Sequence, residues 1–196
     1  MAQMTDSIPR SRLLSDPPPG VRRVALVLAA LSKDRNCLVL TNRTSHLEQI
    51  ADLLRDAGHN PVILRGGMGA RTRAAALARL QPQPGGPPLL AVATGPYAGE
   101  GFDCPALDAL FLAAPVANKG SLTQYAGRIL RAHENKTAAE VHDYLDERTG
   151  VLAAMLAKRA PGYTGLGFPD PRRLASPQAP ARTANRLRKP HNIMLE

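Results

Sequence analysis

The 196-residue sequence predicts an α/β domain of three layers, a mostly parallel sheet with helices on both faces. Three features carry this: short uninterrupted apolar runs, amphipathic or Ala-rich stretches between them, and Gly or Pro punctuation at the boundaries. Cys37-Leu38-Val39-Leu40 suits a strand buried on both faces. Ser45 with Glu48 forms a capping box, after which Leu47, Ile50, Ala51, Leu53 and Leu54 make one helical face that stops at Gly58. Pro61-Val62-Ile63-Leu64 is a second strand, and an Ala-rich helix runs from about Ala70 to Leu80 until Gln81-Pro82-Gln83-Pro84-Gly85-Gly86 ends it. Leu89 to Ala93 and Ala109 to Ala113 read as two further buried strands. A helix around Leu122 to Arg131, a strand around Val141 to Leu145 and a helix from about Val151 to Lys158 complete the series.

Composition sets the limits. No stretch approaches the ~18 apolar residues that a membrane span needs, and charges and a Pro triplet interrupt the first thirty residues where a signal peptide would be apolar. Cys37 and Cys104 are too few for a disulfide framework, so a reducing, cytoplasmic setting is expected, with no membrane association. The formal charge of +9 suggests a polyanionic partner. It is unevenly placed: residues 1–22 carry +1, residues 23–160 carry +4 and residues 161–196 carry +4. The first segment, with four Pro, reads as a flexible lead-in, and the last, with six Pro, as a basic tail that is largely disordered. The folded domain is therefore expected over residues 23–160.

Ligands of parallel sheets collect beyond the carboxyl ends of the strands. After the third strand, Thr94-Gly95-Pro96-Tyr97-Ala98-Gly99-Glu100-Gly101-Phe102-Asp103-Cys104-Pro105 is a shaped loop whose glycines let backbone approach a ligand. After the fourth, a helix presents Gln124, Arg128 and Arg131 on one side, with Gly127 beside them. Two guanidinium groups and a carboxamide suit a triphosphate, or the charge that develops in phosphoryl transfer. The plain alternative for Arg128 and Arg131 is a solvated basic face. Cys37 reads as a small core residue and Cys104 as a loop residue, the five His show no metal-ligand spacing, and no metal site is expected.

Two segments resemble motifs V and VI of superfamily 2 helicases and translocases. They are Ala93-Thr94-Gly95 with Glu100-Gly101-Phe102-Asp103, and Gln124-Tyr125-Ala126-Gly127-Arg128-Ile129-Leu130-Arg131. Cys37 to Arg43 sits where motif IV would be, and Ile63-Leu64-Arg65-Gly66-Gly67-Met68 resembles the strand and turn that follow it. The likeness covers about residues 36 to 146 and implies the second, C-terminal RecA-like lobe. It is nearer to the DEAD/DEAH-type proteins related to restriction and DNA-repair ATPases than to RNA DEAD-box proteins with their His-Arg-x-Gly-Arg form.

By that resemblance, Arg128 and Arg131 are arginine fingers and Gln124 positions the nucleotide. Gly101 and Asp103 couple the nucleotide site to the polymer, while Thr41, Arg43 and Thr94 touch its phosphate backbone. ATP and Mg2+ are implied, both held mainly by an N-terminal ATP-binding lobe, in trans or on a full-length protein. DNA is expected in preference to RNA. The sequence contains no Gly-Lys dipeptide and hence no phosphate loop. Asp146-Glu147 follows motif VI and is not preceded by an apolar strand, which disfavours it as a magnesium box. The chain alone is thus not expected to hydrolyse ATP. Two other readings stay open: a non-catalytic fragment or remnant that binds nucleic acid or a partner, and an unrelated α/β protein that uses the Gly-rich loop for a phosphate.

Overall fold

A computed structural model describes residues 19–95, 97, 103–114, 119–134, 136–143, 150–174 and 181–186. The strands β1 (Cys37–Thr41), β3 (Leu90–Thr94) and β4 (Ala109–Leu112) are buried at every position. A strand with both faces covered needs apolar side chains throughout, which is why these runs lack polar alternation. With β2 (Val62–Leu64) and β5 (Ala138–Asp143) they form five parallel strands in the order β2-β3-β1-β4-β5, and β6 (Ala181–Arg186) joins β5 antiparallel at the edge.

The strand alternation sends side chains to two cores. On one face, Cys37, Val39, Val92 and Phe111 meet Val24, Val27 and Leu31 of α1 (Pro19–Leu31) and Leu47, Ile50 and Leu54 of α2 (Thr44–Asp56). On the other, Leu38, Leu40, Ala91, Ala93, Leu110 and Leu112 meet Leu80, which follows α3 (Ala70–Ala78). There they also meet Leu122, Ala126 and Ile129 of α4 (Lys119–Ile129), and Tyr163 of α5 (Gly150–Gly165). A four-residue helix, α6 (Pro171–Leu174), precedes β6. The three-layer α/β prediction holds.

Local details depart from the sequence reading. The expected capping box does not form: α2 starts at Thr44, its N-cap is Arg43 in extended geometry, and no side chain caps it. The chain turns helical directly past β1, so Leu47 N–H reaches Arg43 O at 3.0 Å and Ser45 falls inside the helix. α1 begins at Pro19 and runs to Leu31, ahead of the first strand that the sequence pattern marks. α4 ends at Ile129, which leaves Arg131 outside it, and α5 continues through Pro161 to Gly165. Secondary structure therefore extends past both ends of the 23–160 segment, and Tyr163 and Phe168 belong to the core.

One buried ion pair fastens α5 to the end of β5. Arg159 Nε and Nη2 donate to Asp143 Oδ2 and Oδ1 at 2.7 and 2.8 Å, and Tyr163 Oη donates to Oδ2 at 2.7 Å. At the amino ends of the strands, Asn36 binds three residues of two segments: its N–H reaches Asp108 Oδ1, its Nδ2 reaches Ala106 O, and its Oδ1 accepts from Leu89 N–H. Those bonds fix where the chain enters β3 and β4.

Candidate functional site

The residues singled out in the sequence fall into two neighbouring groups. The first lies at the carboxyl ends of β1 and β3, where Thr41 and Thr94 are side by side in the parallel register. Both are buried, and Thr41 Oγ1 is 2.8 Å from His46 Nδ1. Burial, helped by Arg23, holds His46 below the ordinary histidine range, which favours the neutral ring here. Thr41 is thus engaged inside the domain, and the exposed part of this strand end is Asn42 and Arg43.

Gly95 shows why a glycine follows Thr94. A Cβ there would stand 2.8 Å from Tyr125 Oη and 3.2 Å from Asn42 Oδ1. Its absence lets Tyr125 of α4 close over the end of β3, so the strand end and the helix that bears Gln124 and Arg128 become one surface. Gln124 is exposed on it and Arg128 half-buried. Burial raises the Tyr125 phenol above its ordinary range, against a bond from Ser121. Nearby, the Arg73 guanidinium lies over the Tyr97 ring at 5.2 Å from its centroid.

The second group joins the two sequence motifs directly. Arg131 Nη1 donates to Asp103 Oδ2 in an ion pair whose side chains are 52% and 51% exposed. The main chain on both sides converges on Lys136, which is 8% exposed. Its Nζ donates to Pro105 O at 2.9 Å, Leu107 O at 2.5 Å and Arg131 O at 3.0 Å. Gly101 lies outside the described residues, as do Asp146 and Glu147. Nothing in the local pattern singled out Lys136, because its partners are main-chain carbonyls that only the fold brings together.

Among the described residues, no three His, Cys, Asp or Glu side chains gather as a metal site, and no helix is long and apolar enough to cross a membrane. Both cysteines are buried, and desolvation raises their thiols, Cys37 most of all, so neither is an activated nucleophile.

A mostly parallel sheet of this order, with Thr-Gly at one strand end and Gln-x3-Arg-x2-Arg on the following helix and turn, defines a RecA-like lobe of the helicase type. The chain belongs to the helicase conserved C-terminal domain family, whose model matches residues 22–133. No curated protein matches the sequence. Among solved structures, it is similar to the E. coli DEAD-box protein SrmB bound to regulator of ribonuclease activity A: 23% identity, 72% of this chain and 79% of that one, TM-score 0.57. It is also similar to the C-terminal part of the Fun30 ATPase domain, at 14% identity over 64% of this chain and 42% of that one, with a TM-score of 0.53. T4 UvsW matches at 20% identity over 75% of this chain and 32% of that one, with a TM-score of 0.50. The chain spans about two fifths of the Fun30 fragment and a third of UvsW. At these identities the likeness concerns the fold.

Proposed function

We propose that this lobe is the C-terminal half of an ATP-dependent superfamily 2 helicase or translocase, completed by an N-terminal ATP-binding lobe and acting in the cytoplasm on nucleic acid. The observation that carries the reading is the pairing of Asp103 with Arg131, which brings the two helicase-like motifs together at a surface where the guanidinium is half exposed. Arg131 there, with Arg128 and Gln124 on the adjoining helix, suits the anionic oxygens of a triphosphate. No phosphate loop is present in the sequence, so ATP and Mg2+ would be held chiefly by the other lobe. When bound, the nucleotide supplies the phosphoryl bond whose cleavage drives the motor; this chain supplies cations that favour charge in the transition state. The exposed Arg43 at the end of β1 suits a phosphate backbone, with buried Thr41 and Thr94 shaping the strand ends beneath it. The preference for DNA rests on the resemblance to restriction and repair ATPases.

The test is nucleic-acid-stimulated ATP turnover when the chain is mixed with an ATP-binding lobe. Arg128→Ala should lower it by roughly a thousandfold. Unchanged turnover would remove the finger role. The absence of a phosphate loop also favours a second reading, a non-catalytic lobe that only grips nucleic acid. That reading expects salt-sensitive binding in the mixture without any turnover.

A further inference from the structure

We propose that Lys136 is a positioning residue, whose ammonium, bonded to the carbonyls of Pro105, Leu107 and Arg131, fixes the loop that carries Asp103 against the segment that carries Arg131. The importance of that geometry rests on the reading above; the geometry does not.

A buried ammonium is costly unless every proton finds an acceptor. Here all three do, at 2.5 to 3.0 Å. Two acceptors belong to the chain just after Asp103, and the third is Arg131 itself, two residues past the end of α4. A cation just past the C-terminus of a helix is favoured by the helix dipole. A compact, three-donor ammonium can satisfy carbonyls converging from several directions, whereas the planar fork of an arginine cannot. Backbone bonds hold Lys136 in turn, its N–H reaching His133 O at 3.0 Å. Asp103 and Arg131 are both half exposed, and an exposed ion pair contributes too little to set its own geometry. The buried clamp beneath them is the stronger constraint.

The ionisable groups around Lys136 are Asp108, Cys104 and Arg35, with Asp34 lining the same cavity, His133 on its own turn and Arg131 above. Burial pushes the ammonium down to about 8, with Asp108 and Cys104 opposing and Arg35 adding to the fall. A neutral amine has only two protons to donate, so losing the charge must release one carbonyl.

Carbon-detected NMR of the arginine Nε–Cζ pairs in the full chain tests this. In Lys136→Met, the Arg131 signal should move to the position of a free guanidinium, while that of Arg159, in its own buried pair, stays in place. An unmoved Arg131 signal beside an intact Arg159 signal would overturn the proposal. Should Lys136→Met fail to fold, a pH titration of the wild-type chain decides. The Arg131 signal and the amides of Asp103, Cys104 and residues 106–108 should shift with the Lys136 Nζ midpoint near 8, and no shift through that midpoint is the contrary result. In a mixture with an ATP-binding lobe, a soluble Lys136→Met should lose about tenfold in kcat, which is ~1.4 kcal/mol of barrier, at unchanged KM for ATP. If the wild-type mixture shows no turnover, the functional reading fails while the NMR result still judges Lys136.

Discussion

Asp143 with Arg159 and Asp103 with Arg131 are pairs of the same chemistry in opposite surroundings. The first has side chains 8% and 2% exposed, two parallel hydrogen bonds and a tyrosine as third partner. The second sits half in solvent, with one bond. A buried pair is locked by the cost of separating its charges in a low dielectric, whereas an exposed one exchanges its partner for water or another anion at little cost. The same two residue types therefore serve as a fastening at the end of β5 and as an available cation beside the strand-end loop.

Substitutions should break this contrast in a definite order. Arg159→Ala leaves Asp143 buried without its charge partner and should destabilise the domain by about 3–5 kcal/mol, measured by urea unfolding. Arg131→Ala should hardly change unfolding, yet should lower turnover in the mixture with an ATP-binding lobe by roughly a thousandfold, about 4 kcal/mol of barrier. Equal effects of the two substitutions on stability would erase the distinction. Gly95→Ala places a methyl against the Tyr125 hydroxyl, which is packed against the core and cannot swing freely. A loss of about 1–3 kcal/mol is expected, and Tyr125→Phe in the same chain should recover part of it.

Alkaline pH gives a fourth, smaller effect. Burial raises Cys37 and Cys104 above their ordinary value of 9.0, and Tyr125 and Tyr163 above theirs of 10.0. A raised acid stays protonated in the fold while the unfolded chain loses its proton, so its contribution is complete below its ordinary value, 9.0 for the cysteines and 10.0 for the tyrosines, and is lost as pH rises above it. Lys136 works the other way between about 8 and 10.5, and one base does not offset four acids. Stability should fall above pH 9, by about 1.4 kcal/mol per pH unit for each uncompensated proton, and Cys37→Ala should flatten the slope. The smallest effect belongs to Asp103→Asn, which should cost under about 1 kcal/mol.

The central strands were legible because burial on both faces demands unbroken apolar runs such as Cys37 to Leu40. The two ends were less so, and proline is the reason in both cases. Pro19 opens α1, where a missing N–H costs nothing, so a proline that reads as punctuation in the sequence stands at a helix start. Pro161 sits inside α5, where it normally breaks a helix, yet Arg159 and Tyr163 on either side are held by Asp143. At the site, the residue types and their order could be read, since Gln124, Arg128 and Arg131 lie within one short segment. That Thr41 turns inward to His46 depends on how the chain folds back from β1 into α2, and that Arg131 leaves the helix to meet Asp103 and that Lys136 ties their loops depend on contacts between distant segments. Local spacing does not encode these.

A lobe that is half of a motor, as proposed, turns over ATP only beside its partner lobe. Steady-state ATP hydrolysis, with and without DNA, measures that directly for the chain alone and for the chain mixed with an ATP-binding helicase lobe. Background turnover from the chain alone and DNA-stimulated turnover from the mixture are predicted; robust turnover from the chain alone would contradict the account.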